Sequence, residues 1–273
     1  MERVRYELRD QTALISLNRP EYRNAQSWPL LDELDAAFER AVADDTVRVI
    51  VVTGVGDHFS SGHDLGTPEQ QAARSGVQGQ DARLAQYEAF RRYNLELTLK
   101  WRNLPKPTIA MVRGYCIYGG WMVAAAMDLV FASETARFLA GLVEYFSVPW
   151  DVGARAAKEL LFESRFIDAR EAHHLGFVSR VYADSELERE TLAYAARVAE
   201  NPPWYLRMAK LAVNRAEDIA GFTAAVEAAF HDYLVASPLR EREGERDGPR
   251  RLPGVELALR GMRGDRPGLQ RPR

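Results

Sequence analysis

Alternating and continuous apolar segments along the chain predict the strands of a sheet. Residues 4–10 (VRYELRD) and 12–18 (TALISLN) alternate apolar and polar side chains, which is typical of two strands joined by a tight turn at Asp10-Gln11. The other predicted strands, all short and mostly apolar, are 48–54, 108–112, 128–133, 136–140 and 177–182. A continuous apolar run such as RVIVVTG (48–54) indicates a strand that is buried on both faces.

Segments with helical periodicity separate these strands. Ser27 is the predicted cap of a helix over residues 30–44. The apolar face of this helix comprises Leu31, Leu34, Ala37, Phe38 and Ala41. A second amphipathic helix is predicted over 84–104, ending before Pro105. Residues 67–80 (TPEQQAARSGVQGQ) are polar and weakly patterned, and for them we predict a mobile loop that borders a site.

The chain after residue 151 is predicted to be mostly helical. The order of elements indicates an α/β core over residues 1–200, followed by helices over 201–237 with broad apolar faces. One face would pack on the chain's own core, and another on a neighbouring subunit. Residues 238–273 are rich in arginine, glycine and proline, and we predict a flexible tail there.

Composition and charge narrow the class of protein. The 273 residues are 47% hydrophobic, enough for one large domain, and the net charge of −3 argues against a protein that neutralises nucleic-acid phosphates. Cys116 is the only cysteine, which excludes an internal disulfide and suits a reducing compartment. The charged start, MERVRYELRD, lacks the apolar core of a signal peptide, and no uncharged run has the roughly 18 residues of a membrane span. We therefore expect a cytoplasmic globular protein.

Two glycine-containing loops follow predicted strands and carry the candidate chemistry. In HFSSGHDLG (58–66), Gly62 permits a sharp bend that exposes the amide of His63. In IYGGW (117–121), Gly119 and Gly120 open a helix, where the first N–H groups have no internal partner and the helix dipole adds positive charge. Two such amides directed at one point would bind a carbonyl oxygen that becomes negative during a reaction.

These loops and their flanking segments resemble the crotonase superfamily, also called the enoyl-CoA hydratase/isomerase family. The matching segments are LNRPEYRNA, RVIVVTGVGDHFSSGHDL, KPTIAMVRGYCIYGGWMVAAAMDLVFAS, EAHHLGFVSRVY and AKLAVN, in the family's order over roughly residues 10–235. The resemblance implies a spiral of ββα units with a C-terminal helical region that forms trimers, often paired into hexamers. It also implies an acyl-CoA thioester substrate, with coenzyme A as part of that substrate and no separate cofactor.

By position, the resemblance implies a set of contacts with this substrate. The thioester oxygen would lie between the amides of His63 and Gly119, with Gly120 next in the same turn. The residues implied to flank the adenosine and phosphate end of coenzyme A are Arg23, Asn24 and Ala25. Those implied to line the pantetheine and adenine neighbourhood are Ser61, Asp64 and Leu65.

The chain departs from the family's hydratases at both glutamates that hold and activate water. Met122 stands three residues after the first amide glycine, at the place of one glutamate, and Leu142 stands at the place of the other. Neither side chain exchanges a proton, so the usual mechanism with two carboxylates lacks both members. The amide turns are retained while the adjoining acid–base groups are lost or moved.

Three other residues are candidates for proton transfer. Asp151 matches an aspartate of relatives that shift double bonds or displace a halide, but it is equally placed to cap the following helix. Glu144 lies two residues beyond the missing second glutamate, where it would either turn inward or face solvent. The side chain of His63 lies at the predicted entrance, either as a catalytic group or as a histidine that faces coenzyme A.

Three functions fit these residues. The first is atypical hydratase or isomerase chemistry through a thioester enolate, with Asp151 as the principal base and Glu144 as a helper. The second is hydrolysis or carbon–carbon cleavage of an acyl-CoA, with Asp151 as nucleophile or base for water. The third is an acyl-CoA-binding homologue without chemistry. No metal-binding motif, GxGxxG fingerprint or nucleophile elbow is found in the sequence.

Overall fold

The computed structural model describes residues 2–77 and 81–246, which fold around two sheets. The strands of the described residues are β1 (Val4–Arg9), β2 (Thr12–Leu17), β3 (Val49–Gly54), β4 (Thr108–Val112), β5 (Tyr115–Ile117), β6 (Leu129–Ser133), β7 (Arg137–Leu139), β8 (Ile167–Asp168) and β9 (Arg180–Tyr182). The larger sheet has the order β1-β2-β3-β4-β6-β9, and the smaller sheet has the order β5-β7-β8. The predicted α/β fold is confirmed.

Strands β1 and β2 form the predicted antiparallel hairpin, and all later neighbours in the larger sheet are parallel. The turn uses Asp10 at a φ of 50°, a left-handed conformation that aspartate tolerates better than most residues. Every residue of β2 and of β4 is buried. Strands in a parallel sheet are expected to be apolar throughout because connecting helices cover both faces.

The helices of the described residues cover both faces of the sheet. They are α1 (Trp28–Ala43), α2 (Pro68–Ser75), α3 (Ala82–Arg91), α4 (Leu97–Arg102), α5 (Gly119–Ala125), α6 (Val148–Val152), α7 (Ala154–Glu163), α8 (Ala169–His174), α9 (Leu187–Ala199), α10 (Pro203–Ile219) and α11 (Phe222–Arg246). Ile15 of β2 packs in the cluster that contains α1, whereas its neighbour Leu14 packs in the cluster that contains α9. The alternation along one strand therefore places a helix on each side of the sheet.

The sequence prediction was wrong for the segment after the first glycine loop. Residues 67–80 were predicted to form a loop, but helix α2 occupies Pro68–Ser75. The side chain of Thr67 accepts a hydrogen bond from the Gln70 amide, and Pro68 stands in the first turn, which together start the helix. Helical periodicity misses this helix because Gln70 is its only buried residue.

The predicted second helix, 84–104, is present but interrupted. A π-helical segment, Arg92–Glu96, separates α3 from α4. Such segments insert an extra residue into the helix and shift the side chains that follow to another face. No helix among the described residues is both long and apolar enough to cross a lipid bilayer.

The two C-terminal helices differ in how they contact the rest of the chain. Helix α11 packs Phe222, Val226 and Phe230 against its own core, and continues through Arg246, across the boundary predicted at residue 238. Helix α10 has no buried residue and exposes several large apolar side chains. These are Trp204, Tyr205, Met208, Val213 and Ile219. Residues 247–273, most of the predicted tail, lie outside the described residues.

The packing of α11 on its own chain predicts a large effect of its central aromatic residue. Phe230 is fully buried, so Phe230→Ala should lower the free energy of unfolding by about 3–5 kcal/mol, measured by urea denaturation. Val235 is 73% exposed on the same helix, and Val235→Ala should change stability by less than about 0.5 kcal/mol. Equal effects of the two substitutions would contradict this packing.

Candidate active site

The two glycine-containing turns predicted from the sequence lie against each other. A Cβ atom added to Gly62 would lie 2.7 Å from the Ile117 carbonyl oxygen and 3.1 Å from the Gly119 nitrogen. A Cβ atom added to Gly119 would lie 3.1 Å from the His63 nitrogen. Neither turn has room for a side chain at the contact, and Gly62 also needs its φ of 93°.

The orientations of the two amides follow from their neighbours' hydrogen bonds. The Gly62 carbonyl accepts from the Gln26 amide at 2.8 Å, and the Tyr118 carbonyl accepts from the Met122 amide at 3.0 Å. In a trans peptide the N–H points opposite to the C=O of the same unit. The His63 N–H is therefore directed away from Gln26, and the Gly119 N–H out of the N-terminus of α5. Neither amide donates a hydrogen bond to any described residue.

Tyr118 holds the second turn in a strained conformation. Its φ of 48° and ψ of −103° lie outside the regions that residues with a side chain normally adopt. Such a conformation costs about 1–3 kcal/mol and persists only where surrounding contacts enforce it. Here the Tyr118 amide donates to the Leu139 carbonyl at 3.0 Å. The Tyr118 ring fills the space that a Cβ atom on Gly141 would need.

Glu144 turns inward and meets His63. The residue is 3% exposed, and its Oε2 atom lies 3.4 Å from Nε2 of His63. The two atoms are within ion-pair distance. Nε2 is buried and makes no hydrogen bond of good geometry with the described residues. Of the two environments considered for Glu144 from the sequence, the structure shows the inward one.

The environment of Glu144 favours its charged form. Burial raises the pKa of the carboxyl, but the attraction of the His63 imidazole and a hydrogen bond from the Tyr233 hydroxyl oppose it. The net result is a pKa below the ordinary value for glutamate. The buried carboxylate is therefore available as a proton acceptor beside the imidazole of His63.

Met122 and Leu142, which stand where the resemblance implies glutamates, have different surroundings. Met122 is 2% exposed and packs with Val143, Tyr145 and Phe222 in an apolar cluster between α5 and α11. Leu142 is 38% exposed. The irregular segment between β7 and α6 thus buries Glu144 against the His63 side chain and leaves Leu142 partly exposed.

Asp151 lies in a different environment from the amide pair. It belongs to α6, and its Oδ2 atom accepts hydrogen bonds from Trp121 Nε1 and from Ser147 Oγ, each at 2.8 Å. It does not cap the following helix α7, whose N-terminal cap is Gly153. Burial raises the pKa of Asp151 to about 6.

The cavity beside Asp151 is separate from the two turns. It has a volume of about 570 Å³ and is also lined by Trp150, Arg102, Lys210 and Glu217. None of His63, Gly119 and Glu144 belongs to its lining. The structure therefore brings together three of the predicted catalytic residues and places the fourth, Asp151, against another cavity.

The loop predicted to flank coenzyme A combines buried and exposed residues. Arg23 and Asn24 both adopt left-handed conformations, with φ values of 51° and 55°. The Asn24 side chain is buried and bonds to main-chain groups of Arg19, Val55 and His58, so it holds the loop. Arg23 is exposed beside it, and its carbonyl accepts a hydrogen bond from the amide of Ser61.

The other residues predicted to contact coenzyme A also include both exposed and buried side chains. Leu65 is 53% exposed and Ser61 is partly exposed, whereas Ala25 is buried. Asp64 is 2% exposed and forms a buried ion pair with Arg19 at 2.9 Å. Burial raises the pKa of the Asp64 carboxyl. Hydrogen bonds from Thr67 and Gly66 oppose this effect, and the resulting pKa lies below the usual range.

Three residues at the site were not predicted from the sequence. Gln26 and Ser60 are buried between the two turns, and Tyr233 reaches Glu144 from α11. Gln26 and Ser60 are each next to a predicted site residue in the sequence. A polar side chain expected to be buried at such a position could have indicated both of them. Tyr233 is distant in sequence from every site residue, and no local pattern indicates its position.

A spiral α/β core in which two glycine turns meet at the start of an internal helix defines the crotonase class of proteins. The family model for enoyl-CoA hydratase/isomerase matches residues 7–237. The chain belongs to this family, and it is an acyl-CoA-processing enzyme.

Individual relatives are similar along most of their lengths. The chain is 41% identical over 251 residues to EchA13 of Mycobacterium tuberculosis, provisionally named as an enoyl-CoA hydratase, and the match covers 84% of this chain and 79% of that protein. A solved enoyl-CoA hydratase/isomerase from Xanthobacter autotrophicus is 30% identical, with a TM-score of 0.78 over 96% of this chain and 98% of that chain. A monofunctional enoyl-CoA isomerase from Mycobacterium smegmatis is 26% identical, with a TM-score of 0.65 over 80% and 95%.

The raised pKa of Asp151 predicts a pH-dependent cost to stability. Between its ordinary pKa of 3.8 and about 6, the folded protein binds the proton more tightly than the unfolded chain does, so stability falls as the pH rises. Asp151→Asn should raise the free energy of unfolding at about pH 8 by roughly 1–3 kcal/mol and have little effect near pH 4. Asp45→Asn, at an exposed position, is the control. A destabilising effect of Asp151→Asn at about pH 8 would contradict the raised pKa.

Proposed function

We propose that this protein moves a proton on the acyl group of a coenzyme A thioester, and that its reaction is isomerisation of a double bond through an enolate. The observation that carries the proposal is the buried Glu144 carboxylate, 3.4 Å from the side chain of His63, whose amide is one of the pair. A carboxylate beside an amide pair has what enolate formation requires: a base for a carbon-bound proton and donors for the oxygen.

The amides of His63 and Gly119 would stabilise the negative charge on the thioester oxygen. Their closeness and the directions of their N–H bonds support this role. Removing one such donor in an enzyme typically costs about 2.7–4 kcal/mol of transition-state stabilisation. Arg23, Ser61 and Leu65 would contact coenzyme A, which enters as part of the substrate. No separate cofactor is proposed.

A single carboxylate favours isomerisation over hydration. Glu144 would take a proton from one carbon of the acyl group, and the electron pair of the broken C–H bond would pass into the enolate. The same carboxyl would return the proton to another carbon, so no net proton is gained or lost. Hydration requires a water molecule to be held and activated, and the glutamates that do so in the family's hydratases are Met122 and Leu142 here.

Asp151 remains the second candidate base because its pKa of about 6 is closer to neutral pH. It is also the group on which hydrolysis or carbon–carbon cleavage would depend.

The pH dependence of kcat distinguishes the two carboxyl groups as the base. If Glu144 is the base, kcat should stay constant as the pH decreases through about 6, because the pKa of Glu144 lies below its ordinary value of 4.5. If Asp151 is the base, kcat should fall as the pH decreases through about 6.

Substitution of each carboxyl provides the direct test. The assay is exchange of carbon-bound hydrogen of an acyl-CoA with deuterium from solvent, measured by mass spectrometry. Glu144→Gln should lower the exchange rate at least about 100-fold with little change in acyl-CoA affinity, and the exposed Glu200→Gln should change neither. Loss of exchange in Asp151→Asn with retention in Glu144→Gln would transfer the role to Asp151. If the unmodified protein binds acyl-CoA tightly but neither exchanges hydrogen nor releases free coenzyme A, it is a homologue that only binds acyl-CoA.

The exposed apolar side chains of α10 support assembly into a homotrimer or a hexamer. Trp204, Met208 and Ile219 are each more than half exposed in the single chain, and burial between subunits would remove this surface from water. Sedimentation should give three or six times the mass of the chain, and a monomer mass would contradict the proposal. A cytoplasmic location stays a prediction.

A further inference from the structure

One buried hydroxyl connects the two turns. Ser60 is fully buried, and its Oγ atom donates to the Asn24 carbonyl at 2.8 Å. The same oxygen accepts from the Gly62 amide at 3.1 Å and from Nε2 of Gln26 at 3.2 Å. All three partners lie in the loops that carry His63 or that pair with it.

The hydroxyl also fixes which way the Gln26 amide faces. A serine hydroxyl has one hydrogen, and the bond to Asn24 uses it. Ser60 Oγ can therefore only accept from Gln26, so Nε2 faces Ser60 and Oε1 faces the other way. Oε1 lies against Gly119, 2.6 Å from where a Cβ atom on that glycine would stand. The Gln26 side chain thus spans from Ser60 to the second turn.

The main chain of Ser60 reaches the second turn by another route. Its amide donates to the Tyr115 carbonyl at 3.0 Å, and its carbonyl accepts from the Ile117 amide at 3.1 Å. A Cβ atom added to Gly120 would lie 2.6 Å from the same carbonyl oxygen. Ser60 therefore contacts the strand that leads into Gly119 and the first turn of α5.

We propose that Ser60 and Gln26 are positioning residues that set the separation and relative direction of the His63 and Gly119 amides. This inference rests on the proposed role of those amides in binding the thioester oxygen. The effect would be selective, because an anionic oxygen gains more from well-placed donors than the neutral carbonyl of the bound substrate does. A displacement of about 1 Å at a reacting centre can cost about 100-fold in rate.

The test removes the hydroxyl and measures both turnover and the polarisation of the bound thioester. Ser60→Ala should lower kcat about 10- to 100-fold and leave KM within about threefold. Gln26→Met, which keeps the length of the side chain without its amide, should act in the same direction. Ser133→Ala is the matched control, because Ser133 is also fully buried and pairs with Thr135 away from the site.

Difference infrared spectroscopy of bound acyl-CoA supplies a signal that a merely structural role would not change. Hydrogen bonds to the thioester oxygen lower the C=O stretching frequency. The unmodified protein and Ser133→Ala should show the full shift, and Ser60→Ala a smaller one at equal saturation. No shift in the unmodified protein would overturn the amide pair itself. A full shift in both proteins, or equal kcat for Ser60→Ala and Ser133→Ala, would overturn only the positioning role.

Discussion

The contact between two main-chain turns is the constraint on which the rest of the site depends. Gly62 and Gly119 approach so closely that neither position has space for a methyl group. Hydrogen bonds on the far sides of both peptides direct the His63 and Gly119 amides without using either N–H. The segment after β3 and strand β5, which leads into Gly119, bring the turns together, because the main chain of Ser60 hydrogen-bonds to Tyr115 and Ile117 of β5.

The proposed base lies near, but not at, the positions that the family resemblance implies for the glutamates of a hydratase. The resemblance assigns those glutamates to the positions of Met122 and Leu142. Met122 belongs to an apolar cluster with α11, and Leu142 is partly exposed, while Glu144 is buried next to His63. An irregular segment permits such a shift more readily than a helix or a strand, because no hydrogen-bond register ties its residues to fixed directions.

The sequence predicted what depends on local patterns. The hairpin, the buried parallel strands and helix α1 with its Ser27 cap follow from apolar periodicity and cap chemistry. Helix α2 was missed because its start is set by Thr67 and Pro68 and not by an apolar face. The inward turn of Glu144 and the contact with Tyr233 could not be read locally, since they depend on the path of an irregular segment and on a helix far along the chain.

Helix α11 returns over its own core and reaches the candidate site from far along the chain. Phe222 and Phe230 cover the cluster beside Met122, and Tyr233 reaches the carboxylate that we assign as base. One wall of the candidate site is therefore supplied by a helix of the same chain. Displacing α11 from its own core would therefore be expected to disturb the proposed base as well as the stability of the fold.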